Sequence, residues 1–294
     1  MSYIKNVNKV CIGSANFGSS YGINKKKSIN KKILKKIFSY AEKNKINFID
    51  TAFNYKNSEI NIGSLNKTNI KIITKISKIP KNVVNIEKWI IKKTNESCKR
   101  LKTKKLYGLL VHDTSELRNN KKAKLFYKAF DYLIQNKIVE KVGLSIYEPI
   151  ELDKYFNSYD FKIVQTPINI LDRRIVSSGW LTRLKNNKVE IFARSIFLKG
   201  ILLKDVDKID SSFFKWKKKL TYFEKWTKKN NLSKIEACIR YVNGFKEINK
   251  IIFGISNEKQ LRDNSTFLKK NRLYVSDYLN INSGNILNPK KWKI

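Results

Sequence analysis

Residues 46–55 read INFIDTAFNY: an apolar run ends in Asp50, and a turn follows that carries Tyr55. The run is nearly continuous in its hydrophobicity rather than alternating, which is what a strand covered on both faces requires. Counting Asn47 to Asp50 as one such run, seven others share its character: Lys9 to Ile12, Lys71 to Lys75, Tyr107 to Val111, Lys141 to Ser145, Ile163 to Thr166, Val189 to Ala193 and Lys250 to Phe253. Longer stretches with helical spacing separate them. Ile29 to Lys43 sets Ile33, Ile37, Phe38 and Ala41 on one face, and Val83 to Leu101, Ser115 to Asn136, Glu148 to Phe156, Ser211 to Lys229, Ser233 to Phe245 and Asn257 to Phe267 behave alike. Eight strands alternating with helices over 294 residues predict a (β/α)8 TIM barrel, with a doubly wound open sheet as the competing arrangement. Only four prolines and eleven glycines occur, none clustered into a linker, so residues 1–294 read as a single domain. Lys204 to Lys219, charged and irregular, reads as a loop or lid.

In a parallel barrel, chemistry gathers where the strands end, so the residue terminating each run is the informative one. Those residues are Asp50 (with Tyr55 five residues on), Lys75, His112, Ser145, Gln165 and the pair Arg194-Ser195. A phenol protonates a carbonyl oxygen only if its pKa, near 10, is brought down. A buried ammonium beside the phenol favours phenolate, a carboxylate keeps that ammonium charged, and an imidazole hydrogen-bonds the oxygen. None of these groups delivers a hydride, so such a reduction needs a nicotinamide cofactor.

Lys and Arg total 62 against 24 Asp and Glu, a formal charge of +38 that would suit a nucleic-acid binder. Its distribution argues otherwise, because the cations are scattered in short runs such as Lys25 to Lys27, with no stripe of interleaved aromatics. Lys, Asn and Ile supply 125 of the 294 residues, the drift of an AT-rich genome filling replaceable positions, so no specific nucleic-acid partner is expected. Three cysteines at wide spacing offer neither a disulfide framework nor a metal site, and Cys11 reads as buried and inert. With no signal-like N-terminus and no apolar run long enough to span a bilayer, the expectation is a cytoplasmic protein without a membrane partner. Nothing in the sequence sets the oligomeric state.

Taken together, these motifs resemble the aldo-keto reductase family. IGSANFGSSYGIN resembles its first strand and loop, and INFIDTAFNYKNSEINIG its DTA…Y…SE…G signature. TKIS, LLVHD, VGLSIYEP, VQTPINILDRR, ARSIFLKGILL and FGISNEKQLRDN follow in family order, so the likeness runs from residue 7 to residue 264. The resemblance implies Asp50, Tyr55, Lys75 and His112 as the catalytic tetrad, with Tyr55 the general acid. It implies Ser145 and Gln165 at the nicotinamide carboxamide, and Arg194 stacked on the nicotinamide in place of the usual aromatic ring. It further implies Ser195, Gly254, Gln260 and Asn264 as cofactor-binding positions, Asn264 at adenine. Gly254 and Gln260 replace the cations that usually grip a 2′-phosphate, while Lys259 and Arg262 lie close by. NADP(H) is thus the first expectation and NAD(H) the alternative, with no metal and a small-molecule carbonyl as substrate. The RSxFLQG-like segment at Arg194 to Gly200 resembles that of members acting on sugar-type carbonyls. A cofactor-binding regulatory subunit of the same fold is the other reading. Taken singly, Ser14, Tyr21 and Trp180 read as packing, Glu59 as a helix start, Asp113 as a loop hydrogen-bonder, and Lys199 and Lys204 as cations near the phosphates.

Overall fold

The computed structural model describes residues 7–18, 29–65, 69–282, 284–289 and 292; Tyr21 and the run Lys25 to Lys27 lie outside them. All eight predicted strands form: β1 (Val10–Gly13), β2 (Phe48–Asp50), β3 (Lys71–Ile76), β4 (Leu106–Val111), β5 (Val139–Ser145), β6 (Ile163–Pro167), β7 (Glu190–Arg194) and β8 (Lys250–Gly254). Each pairs in parallel with the next, and β8 returns to β1 with Val10 opposite Ile251 and Gly13 opposite Gly254. The sheet is therefore a closed barrel, and the open-sheet alternative is excluded.

Alternation along each strand sorts the side chains. Cys11, Phe48, Ile73, Leu110, Ile163, Phe192 and Ile252 cluster inside the barrel, while intervening residues such as Ile12, Ile49, Ile72, Leu109 and Val164 join the larger core beneath the helices. At Gly143 β5 leaves no room for a side chain against β6, since a Cβ there would run into the carbonyl of Ile163.

The helices are α1 (Lys31–Lys43), α2 (Ser58–Gly63), α3 (Ile86–Leu101), α4 (Asn120–Gln135), α5 (Ile150–Tyr155), α6 (Arg174–Ser177), α7 (Trp180–Asn186), α8 (Lys217–Lys229), α9 (Lys234–Asn243), α10 (Glu258–Thr266) and α11 (Gly284–Leu287). The abundant asparagines set several starts: Asn30, Asn85, Asn119 and Asn257 each accept from a backbone N–H in the first turn. Asn119 also explains one departure from the sequence reading. The helix expected from Ser115 to Asn136 is split, with a 3-10 turn at Thr114–Leu117 capped by Asp113 and α4 capped anew. Helices α6 and α7, separated by Gly179 at φ 75, were not expected and are too short to display a period. Lys204 to Lys219 is not an open loop; it winds into 3-10 turns at Val206–Lys208 and Ser211–Trp216 before α8 begins.

Candidate active site

Moving two residues toward the C-terminal end from each inward-facing position reaches one rim of the barrel. From Cys11, Phe48, Ile73, Leu110, Ile163, Phe192 and Ile252 this step lands on Gly13, Asp50, Lys75, His112, Gln165, Arg194 and Gly254. There the rim opens into a cavity of about 290 Å³ lined by Asp50, Tyr55, His112, Ser145, Gln165, Arg194, Ser195, Gly254 and Gln260 among others. Two sequence-predicted residues lie off its wall. Lys75 is beneath the floor at 1% exposure, and Asn264 is buried on α10.

Lys75 is held twice: its Nζ donates to Asp50 Oδ1 at 2.6 Å and to the Thr51 carbonyl at 2.9 Å. Both partners of the ion pair are nearly inaccessible, at 1% and 7% side-chain exposure, so losing either strands a buried charge. The ammonium stands 5.2 Å from the Tyr55 ring centroid, over its face, and His112 meets the same ring edge-on with centroids 6.1 Å apart. The Tyr55 hydroxyl makes no side-chain hydrogen bond among the described residues.

Sequence reasoning expected Lys75 to draw the Tyr55 pKa down. The opposite holds: burial first, then the Asp50 charge, push the phenol above its ordinary value, and Arg194 is the cation that opposes them. Lys75 lies over the ring rather than at the hydroxyl, and its charge is already answered by Asp50. Tyr55 is accordingly a protonated phenol at neutral pH.

The Tyr55 turn is pinned from both sides. Ser58 Oγ donates to the Ser14 carbonyl at 3.0 Å and bonds Ser14 Oγ at 2.8 Å, and Gly18 packs so tightly against the backbone of Tyr55 and Ser58 that no side chain fits there. Glu59, fully buried, accepts from Thr74 Oγ1 at 2.7 Å, Ser97 Oγ at 3.1 Å and Arg100 Nε at 2.8 Å, tying α2 to β3 beside Lys75. Its assignment to structure is met, as is that of Asp113, which caps the turn at Ser115. Trp180 is buried and donates to Asp153, a packing role.

Farther round the rim, Gln165 Nε2 donates to Asp50 Oδ1 at 2.7 Å and Ser145 Oγ lies 3.5 Å from Gln165 Oε1, so both amide ends face the cavity floor. Arg194 lies over Tyr147, with Cζ 4.2 Å from the ring centroid, and donates to the Ile146 carbonyl at 2.6 Å and Ser195 Oγ at 3.1 Å. One face expected to meet a nicotinamide is therefore covered by a tyrosine that sequence reasoning missed. The loop after β7 is wound through left-handed backbone at Ser195, Leu198 and Lys199 (φ 57, 47 and 50), conformations costly for residues with side chains. It brings Lys199 and Lys204 to the cavity wall, and burial pulls the Lys199 ammonium below its usual value.

At the β8 end, a Cβ on Gly254 would meet open space, and Gln260 Oε1 accepts from Ser256 N at 2.8 Å. Lys259 and Arg262 turn along α10 to Asp263 and Glu258, at 2.8 and 2.5 Å, so neither lines the cavity. Asn16, unremarked in the sequence, lines the cavity, donates to the Ile255 carbonyl at 2.6 Å and Ser256 Oγ at 3.2 Å, and has a buried, unpartnered Oδ1. Among the described residues no cluster of His, Cys, Asp and Glu fits a metal ion, Cys11, Cys98 and Cys238 are free and buried, and no helix is long and apolar enough to cross a membrane.

A closed parallel barrel with an acid, phenol, amine and imidazole converging at its C-terminal rim defines an enzyme-type (β/α)8 protein. The sequence pattern of the aldo/keto reductase family matches residues 9–284, and the chain belongs to that family. Membership implies NAD(P)H-dependent carbonyl reduction. Among solved structures, the chain is similar to the holo form of aldo-keto reductase AKR11C1 from Bacillus halodurans, at 16% identity and TM-score 0.73, with 90% of this chain and 88% of that one covered. Its apo form aligns at 18% identity and TM-score 0.71, covering 90% and 87%. A putative aldo-keto reductase from Pseudomonas aeruginosa aligns at 17% identity and TM-score 0.66, covering 89% of each chain. No curated protein matches the chain.

Proposed function

We propose that the cavity reduces an aldehyde or ketone, with Tyr55 as the proton donor. The observation that carries this reading is the buried Lys75–Asp50 pair set beside the Tyr55–His112 edge contact, with Asp50, Tyr55 and His112 on the cavity wall and Lys75 behind it. When bound, a dihydronicotinamide supplies the hydride that reduces the carbonyl carbon. The Tyr55 hydroxyl gives its proton to the carbonyl oxygen, completing the alcohol, and the phenolate left behind has the Lys75 ammonium over its ring and the Arg194 charge acting on it. Asp50 and the Thr51 carbonyl keep that ammonium charged and oriented, and His112, edge-on to the Tyr55 ring on the same cavity wall, steadies the carbonyl oxygen.

The donor set suits a dinucleotide. Ser145, Gln165 and Ser195 offer amide and hydroxyl partners, the open space at Gly254 admits backbone approach, and Lys199 and Lys204 suit phosphates. Asn264 stands behind them on α10 toward the adenine end. NADP(H) is the first reading for the cofactor. The second, NAD(H), is favoured by the missing cation at Gly254 and by the commitment of Gln260, Lys259 and Arg262 to other partners. A sugar-type carbonyl is the proposed substrate class, resting on the likeness of the Arg194 to Gly200 segment. Titrating the protein with NADPH and NADH by fluorescence, then assaying a carbonyl panel, tests the proposal: binding with turnover is expected. Binding without turnover of any carbonyl transfers the protein to the regulatory-subunit reading, and no binding of either dinucleotide overturns both.

A further inference from the structure

The geometry points to a substrate that carries an oxyanion, a carboxylate or phosphate received by Arg194, in addition to the carbonyl that is reduced; this rests on the reductase reading above. Arg194 stands apart by its place: of the arginines without a carboxylate contact among the described residues, Arg118, Arg183 and Arg272 are exposed, and Arg194 is half-buried on the cavity wall. Arg100, Arg173, Arg174, Arg240 and Arg262 each contact a carboxylate within 4.0 Å, whereas Arg194 contacts none among the described residues. A guanidinium has five N–H donors. Arg194 uses two of them, toward the Ile146 carbonyl and Ser195 Oγ, which leaves three, the buried Nε included, without an acceptor among the described residues.

An unanswered charge inside a partly desolvated cavity is costly unless a ligand answers it. The charge of Asp172, off the cavity wall, reaches Arg194, but both Asp172 oxygens are taken by Arg174. Among the described residues Asp50 is the one carboxylate on that wall, and its Oδ1 already accepts from both Lys75 and Gln165. The guanidinium is also pre-positioned, over the Tyr147 ring at 4.2 Å and anchored by a 2.6 Å bond to the Ile146 carbonyl just after β5, so little ordering remains to be done when a ligand arrives. It shares the wall with Tyr55 and His112, and its charge is felt at the Tyr55 hydroxyl. A planar fork of donors next to the reducing centre matches the geometry of a carboxylate or phosphate.

The test compares charged and neutral pairs at saturating dinucleotide: 4-carboxybenzaldehyde against 4-methylbenzaldehyde for carboxylate, and glyceraldehyde 3-phosphate against glyceraldehyde for phosphate. In the wild type, kcat/KM for the charged member of at least one pair is expected to exceed its neutral partner by about 30-fold, the size of a charge-assisted hydrogen bond. In Arg194→Met that ratio falls to within about threefold of one, whatever the common effect on both members, and Arg194→Lys recovers part of it. A wild-type ratio near one in both pairs, or a preference that survives Arg194→Met, overturns the proposal. If no aldehyde is reduced by the wild type, the reductase reading has failed, and Arg194 is read separately by calorimetry with benzoate and inorganic phosphate. Binding weakened at least about tenfold in Arg194→Met then supports the oxyanion site, while equal or absent binding in both proteins rejects it.

Discussion

The two ends of this barrel carry the same three chemical groups in different arrangements. At the C-terminal rim stand Lys75, Asp50 and Tyr55; at the opposite mouth stand Lys141, Glu190 and Tyr107. At the mouth everything is closed on itself: Tyr107 donates to Glu190 Oε1 at 2.6 Å, and Lys141 donates to both, at 2.8 and 2.6 Å. The Lys71 ammonium stands over the Phe48 and Tyr107 rings, at 5.4 and 5.0 Å, and that of Lys250 over Phe48 at 3.9 Å. At the rim, the ammonium and carboxylate satisfy each other while the phenol hydroxyl is left to a cavity. Both tyrosines have raised pKa values, Tyr107 at about 12 through burial and its bond to Glu190, so the shift by itself does not distinguish a proton donor from a structural phenol. What distinguishes them is whether the proton already has an acceptor and whether a substrate has room to supply one.

The sharpest way to break this contrast is to remove each hydroxyl. Tyr55→Phe is expected to lower kcat by about a thousandfold with dinucleotide affinity intact, whereas Tyr107→Phe stays within about threefold of wild type, both read from steady-state kinetics. Comparable losses in the two variants would erase the distinction. Next in size is stability. Lys75→Met strands Asp50 in the core and is expected to cost about 3–5 kcal/mol in chemical denaturation, against about 1 kcal/mol or less for Lys141→Met, whose pair is about a quarter exposed. The smallest effect is spectroscopic. A phenol whose folded pKa lies above its unfolded value of 10 binds its proton more tightly in the native state; this stabilisation is full below pH 10 and is lost as pH climbs through the folded value. The phenolate absorbance step that disappears in Tyr55→Phe should therefore lie above pH 10 in the ligand-free protein, and a step below it would return Lys75 to the role expected from sequence.

Much of this was legible before any coordinates. Strands buried on both faces announce themselves as continuous apolar runs, and their terminal residues name the rim because the side-chain period of a strand is two. Asp50, Lys75, His112, Gln165 and Arg194 were found that way. Less visible was whatever depends on which surfaces meet. Tyr147 is an ordinary tyrosine until Arg194 lies across it, and Asn16 is one asparagine in 33 until β1 closes against the loop after β8. The direction of the Tyr55 shift was missed for the same reason, since desolvation is a property of the packed barrel. Helices α6 and α7, four and seven residues long, fall below the length at which a period is readable.

The seam where β8 meets β1, strapped by the Asn16 amide across a separation of 239 residues, has a consequence for biosynthesis. A nascent chain that has emerged only through β7 presents two open strand edges, β1 and β7, and lacks one wall of the cavity, however well its first seven strands have paired. Such edges are templates for pairing with another chain. Ribosomes translating neighbouring copies would thus expose complementary edges at the same stage, and the final strand ends that hazard as it completes the enzyme.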